Sequence, residues 1–171
     1  MPKKKKSIII TTLAFLGISL CSQSLPQQVS FDGVDYKFRE KAEAPNGKIF
    51  IYTDEPARPG NWVSRFSILI HNEQIAPGTW INSMKRDILQ KGGILTGEKI
   101  PQKAPEPGML AFIYGKEASI WKVTNLENGQ LIAYEITLVW PSRAHAEEWI
   151  KTHQQKIASK ILATEFPKLK P

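Results

Sequence analysis

Residues Ser119–Trp140 read SIWKVTNLENGQLIAYEITLVW, two runs rich in β-branched and aromatic residues on either side of a turn signal. Asn-Gly is a strong hairpin signal because both central residues of a type I′ turn need positive φ. Centring the hairpin on Asn128-Gly129 sets Lys122 opposite Glu135, Trp121 opposite Ile136 and Val123 opposite Tyr134. The charge pair then shares one face and the apolar pairs the other. A slip of one residue would carry Lys122 into the core, so register and burial agree. An antiparallel sheet is expected.

The same reasoning extends in both directions. Upstream, Asp32-Gly33 marks a tight turn between two strands within Val29–Lys41, where Val34, Tyr36 and Phe38 alternate. Pro45-Asn46-Gly47 leads into a strand Lys48–Thr53, and a Pro/Gly-rich loop at 54–61 (DEPARPGN) precedes a strand Trp62–Ile70. In that strand Trp62, Phe66, Ile68 and Ile70 share one face and Arg65 takes the other. Thr79 reads as the N-cap of a helix Trp80–Lys91, with Trp80, Ile81, Met84 and Ile88 on its apolar stripe and Gly92-Gly93 as its stop. Short strands are expected at Ile94–Ile100 and Met109–Tyr114, around a loop with three prolines (PQKAPEPG, 101–108). A last helix begins after Ser142 and runs to about Ala163, its stripe formed by Ala146, Trp149, Ile150, His153, Ile157 and Ile161. Glu147 and Lys151 make an i,i+4 pair on its wet side.

The expected class is therefore α+β: a mainly antiparallel sheet covered by two amphipathic helices, in the order ββββ-α-ββββ-α. This order loosely resembles small exported domains of the PsbP/Mog1 type. The resemblance is one of architecture, with no motif to carry residues across, and functions vary within a fold.

The N-terminus carries a different message. Lys3, Lys4, Lys5 and Lys6 precede the apolar run Ile8–Leu20, which is the length of a signal-peptide core and short of a membrane span. Ser22 and Ser24 place small residues for cleavage before Leu25, and Pro26 keeps the junction extended. Residues 1–24 are expected to be a signal peptide and 25–171 a single globular domain in the periplasm or outside the cell. An alternative is a lipoprotein, with lipid on Cys21, although Leu20 stands where a small residue is usual. Cys21 is the only cysteine, which excludes a disulfide framework and fits a bacterial envelope.

Charge then loses its first meaning. The chain has 23 basic and 16 acidic residues, a formal +7, but the leader holds four of the lysines. The remainder is about +3 and interspersed, apart from Lys168 and Lys170 near the end. Nucleic-acid binding needs a concentrated basic surface, so no nucleic-acid partner is expected. Contact with a membrane is expected only through the leader or a lipid on Cys21.

Catalytic patterns are scarce. The histidines are His71, His145 and His153, without paired metal-ligand spacing. His71 and Glu73, two apart on one strand, are at most a two-ligand fragment, so neither a metal nor a cofactor is expected. His145 reads as a surface residue and His153 as a half-buried packing residue. Gly92–Lys99 (GGILTGEK) mimics a phosphate loop, but Glu98 replaces the required lysine and a helix precedes it. No nucleophile elbow is present.

Surface candidates remain. Five tryptophans (62, 80, 121, 140 and 149) are many for this size, and Trp62 adjoins the Pro/Gly loop with Arg58 and Arg65 nearby. Trp62, Arg58, Arg65, His71 and Glu73 are the candidate binding residues; no catalytic residue is nominated. The expected function is a non-catalytic binding module or an accessory subunit of an envelope assembly, with a protein partner. The alternatives are a small exported hydrolase with a dispersed site and a carrier of a small hydrophobic ligand.

Overall fold

A computed structural model describes residues 25–54, 63–103 and 105–167. The expected leader, with its cleavage site and Cys21, lies outside the described residues. In chain order the elements are β1 Gln28–Phe31, β2 Val34–Ala44, β3 Gly47–Thr53, β4 Ser64–Gln74, α1 Pro77–Gln90, β5 Ile94–Lys99, β6 Gly108–Tyr114, β7 Glu117–Asn125, β8 Gln130–Val139 and α2 Arg143–Ala163. All eight strands form one antiparallel sheet, ordered β1-β2-β3-β4-β8-β7-β6-β5. Two four-stranded meanders thus meet at a single seam, β4 against β8. The α+β class is what the sequence led us to expect.

The helices lie on opposite faces of the sheet. Side chains alternate along β6: Leu110 and Phe112 pack with Trp80, Ile81 and Ile88 of α1, whereas Met109 and Ala111 pack with Ala158 and Ile161 of α2. The α2 face holds the larger core. There the sheet curls enough that Phe31 of β1 and Phe66 of β4 both reach the ring of Phe166, at 5.9 and 5.1 Å. Tyr134 stacks on the same ring at 4.6 Å. Phe166 follows α2 and is 8% exposed, so the tail closes the core that the curl opens. Among the described residues no helix is long and apolar enough to cross a membrane.

Turn chemistry separates the two hairpins that looked alike in sequence. Asp32 and Gly33 have φ of 51° and 81°, the two positive values of a type I′ turn. At the other hairpin only Gly129 is positive, at 83°. Gly129 N–H donates to Leu126 C=O (2.9 Å) and Leu126 N–H to Gln130 C=O (2.8 Å). This is a three-residue loop, a type I turn completed by a left-handed glycine. The hairpin is consequently centred on Asn128, and the expected register is off by one. Trp121 opposes Glu135, Lys122 opposes Tyr134 and Val123 opposes Ala133.

Lys122 does turn to the α2 side, the outcome that seemed too costly. Its ammonium donates to the carbonyls of Leu162 (2.9 Å) and Thr164 (2.7 Å), at the C-terminal end of α2. A lysine there satisfies carbonyls that no helical N–H reaches and complements the helix dipole. Burial still pushes its pKa below the usual lysine range, partly opposed by Glu165. Because φ at position 129 is 83°, Gly129→Ala is expected to cost about 1 kcal/mol in urea unfolding. Asn128→Ala, away from the positive-φ position, should cost less.

Both helices correct details of the sequence reading. Helix α1 starts at Pro77 with Ala76 as N-cap and no side-chain cap, so Thr79 lies inside it. Proline at the first helical position has the right φ and lacks an N–H that would go unpaired. Its far end runs as expected: Gly92, at φ 78°, and Gly93 donate to Leu89 and Ile88 carbonyls. Helix α2 starts after Ser142, whose hydroxyl accepts from His145 N–H (3.4 Å). Its buried positions are Ala146, Ile150, Ala158 and Ile161. His153 is exposed rather than half-buried, stacked on Trp149 at 5.2 Å. Gln154 turns inward instead and donates to Thr96 C=O (3.0 Å). It fits because position 97 is glycine; a Cβ there would strike the Gln154 amide. Glu147 pairs with Arg143 at 3.0 Å, one turn before it, and not with Lys151.

Candidate functional site

Successive residues of the β4 sequence SRFSILI point to opposite faces, which sorts Phe66, Ile68 and Ile70 from Arg65, Ser67 and Leu69. Phe66, Ile68 and Ile70 enter the α2-side core. Arg65, Ser67 and Leu69 take the α1 side, where α1 packs on β5, β6 and β7. Register then builds a polar row across neighbouring strands on that side. Thr53 of β3 pairs with Arg65, Arg65 with Thr137 of β8, and Thr137 with Ser119 of β7. One step along, Ile51, Ser67, Glu135 and Trp121 form a second row.

Hydrogen bonds tie the rows together. Arg39 Nε donates to Thr53 Oγ1 at 2.8 Å, and an Arg65 amino group to Thr137 Oγ1 at 3.4 Å. The Ser119 and Thr137 hydroxyls lie 2.9 Å apart. Glu135 accepts from Trp121 Nε1 at 2.8 Å and faces Arg65 at 3.7 Å. Thr53, Ser67, Ser119 and Thr137 are all buried. The carboxylate side chain of Glu135 is 13% exposed and that of Arg65 25%. Such burial is tolerated where a polar group has a partner, as the hydroxyls of Thr53, Thr137 and Ser119 and the carboxylate of Glu135 do, and a truncation that left one unpaired would cost about 1–3 kcal/mol.

Apolar surface borders the rows. Ile49, Ile51 and Leu69 are half-buried. Trp121, also half-buried, stacks on Trp80 of α1 at 4.9 Å. The result is a sheet surface, polar at one end and apolar at the other, with a guanidinium and a carboxylate between them. It is suited to recognition: donors and acceptors sit on strands, and their mutual hydrogen bonds fix their rotamers.

Of the residues singled out in sequence, Arg65 lies in the middle of this surface. Arg58 and Trp62 lie outside the described residues. His71 and Glu73 are elsewhere: His71 sits six residues further along β4, about 20 Å from Arg65 at strand rise, opposite Gly47. His71 is 5% exposed and its Nδ1 accepts from Glu73 N–H at 3.1 Å. Glu73 is exposed, so the two side chains do not share an environment. Among the described residues no three His, Cys, Asp or Glu side chains gather as a metal site.

Ser119, Trp121, Glu135 and Thr137 were not nominated from sequence. Their signal was present in the register: a hairpin centred on Asn128 puts Trp121 beside Glu135 and Ser119 beside Thr137. Centring one half-step later separates all four. The chain matches no known protein family, and no curated protein is similar to it in sequence.

Proposed function

We propose that this chain is a small exported protein of the bacterial envelope that acts as a non-catalytic binding module or accessory subunit for a protein partner. The observation that carries the proposal is the surface around Arg65 and Glu135, where Ile51, Leu69 and Trp121 stay half-exposed on a sheet face that α1 covers mainly over β5–β7. A protein interface uses such a combination, an aromatic and aliphatic centre next to oriented polar groups. The leader, its removal near Ser24 or the lipid on Cys21, and the likeness to PsbP/Mog1-type exported domains belong to the same proposal.

The alternatives have less support. A carrier would use the open groove of about 660 Å³ bordered by Lys122, Leu126, Tyr134 and Phe166, whose floor is the packed aromatic cluster. A hydrolase would need a histidine beside a carboxylate; His71 Nδ1 is taken by a backbone N–H, and the exposed His153 lies on Trp149.

The experiment is affinity capture from the envelope fraction with wild type and with Ile51→Glu, which puts a charge into the half-exposed apolar border while leaving both core clusters intact. A partner held by wild type and lost by at least tenfold in the variant, at unchanged melting temperature, is expected, since desolvating an unpaired carboxylate costs more than about 1.4 kcal/mol. Equal retention by both proteins would place the interface elsewhere. Intact mass from the same preparation reads out cleavage before Leu25 or a lipid on Cys21.

A further inference from the structure

Strand β2 is longer than the strand beside it. β1 pairs only with Val34–Lys37, and Phe38 N–H is taken by Gln27 C=O. From Glu40 to Ala44 no strand among the described residues lies beyond β2, while β3 pairs with its inner side. Ala44 and Gly47 close the two-residue turn between β2 and β3. A closing pair is hydrogen-bonded, and hydrogen bonding alternates along an antiparallel ladder. Ala42 and Ala44 therefore turn their N–H and C=O groups toward β3, and Lys41 and Glu43 turn theirs outward. Those same two residues carry exposed side chains on one face, 2.8 Å apart. The Lys41 ammonium holds the Glu43 carboxyl below the usual glutamate range.

We infer that this edge pairs with the same edge of a second copy of the chain, across a two-fold axis centred on Ala42. Residues opposite one another in an antiparallel pair share a face, so a two-fold pairing can be centred only on a residue, and few centres are available. Centred on Lys41 or on Glu43 it stacks like charges. Centred on Ala42 it sets Lys41 opposite the partner subunit's Glu43 and Glu43 opposite the partner subunit's Lys41, with two small alanines meeting at the axis. The outward N–H and C=O groups belong to these very residues, so both charged pairs are hydrogen-bonded pairs and the join contributes four N–H···O=C bonds. Charged edge residues ordinarily discourage pairing between sheets; here they discourage the centres on either side of Ala42. The interface is isologous and closed, and it extends the sheet from eight strands to sixteen.

A five-residue strand pair buries less than the roughly 1,200 Å² of stable complexes, so the dimer is weak and concentration-dependent. Sedimentation velocity of the protein, expressed from its full chain and purified, over about 10 μM to 1 mM covers that range. Wild type is expected to shift from monomer to dimer within the series. Lys41→Glu and Glu43→Lys should each weaken self-association roughly tenfold or more, because each turns both cross-strand pairs into like charges. An equimolar mixture of the two variants should associate again, since every pair across the axis is then opposite in sign. The double variant K41E/E43K should dimerise like wild type. Lys41→Pro removes an outward N–H and the exposed ammonium but no hydrogen bond to β3, so it should abolish the dimer and keep the melting temperature. A wild type that stays monomeric throughout overturns the inference, as does a dimer that the charge variants and Lys41→Pro leave unchanged.

Discussion

Phe166→Ala should lower the unfolding free energy by about 3–5 kcal/mol, the cost of removing a buried phenyl ring and leaving its cavity. The site cannot easily collapse, because the ring is held from three directions: Phe31 on β1, Phe66 on β4 and Tyr134 on β8. Each belongs to a different strand of one hydrogen-bonded sheet, so closing the void would mean changing the curl of the sheet. A domain of this size has about 5–15 kcal/mol of stability in all, so the variant should lose a large share of it. Phe166→Leu, which keeps most of the volume, should cost about 1–2 kcal/mol. Urea unfolding followed by circular dichroism measures both. A loss below about 1 kcal/mol for Phe166→Ala would mean that the tail is peripheral to the core, against the burial seen.

A second large effect is expected in alkali. The phenols of Tyr52 and Tyr134 are pushed up to about 12 by burial, from the usual 10. A pKa raised in the folded state means that folding favours the protonated phenol. The associated stability is complete below pH 10 and is lost as pH rises from about 10 to 12. Two units correspond to at most about 2.7 kcal/mol for each tyrosine, and the two together are comparable with the stability of the domain. Unfolding midpoints should therefore hold up to about pH 10 and fall steeply above it, with the phenols of Tyr36, Tyr52 and Tyr134 ionising late at 295 nm. Tyr52 offers a control. Its hydroxyl is buried and lacks a hydrogen-bond partner among the described residues, so Tyr52→Phe should be neutral or stabilising at pH 7 and should remove part of the alkaline loss. Unchanged stability between pH 10 and 12 would contradict the burial of both rings.

Much of the architecture was legible because hydrophobic period and glycine position are local properties. The α1 stripe of Trp80, Ile81, Met84 and Ile88, the glycine stop after it, the Ser142 cap and the alternation in β4 all follow from neighbours within a few residues. The errors have a common physical origin. Asn128-Gly129 is compatible with two turn types, a two-residue loop with Asn128 at positive φ and a three-residue loop with Asn128 at negative φ, and the choice was settled by distant groups. In one register Lys122 finds the carbonyls at the end of α2, 40 and 42 residues away. His153 and Gln154 exchanged roles for a similar reason, because Gly97 on another strand leaves room for one side chain and not the other. The candidate surface was half legible. Arg65 was identifiable from its own strand, but its partners come from β7 and β8, and a register in error by one residue hid them.

The seam between β4 and β8 bears on how the molecule assembles. Each meander is built from neighbours in sequence, whereas the pair Arg65 and Thr137 is 72 residues apart. Closing such a separation carries a loop entropy that local hairpins escape, and distant pairings slow folding. The meanders are thus able to form early as separate four-stranded units, each ending in an unsatisfied strand, until β4 finds β8. At high local concentration the nearest β8 can belong to another molecule. An exchanged dimer, with each β4 zipped to its neighbour's β8, would satisfy every hydrogen bond of the native sheet, so the same seam that completes the monomer is the point at which two chains can become entangled.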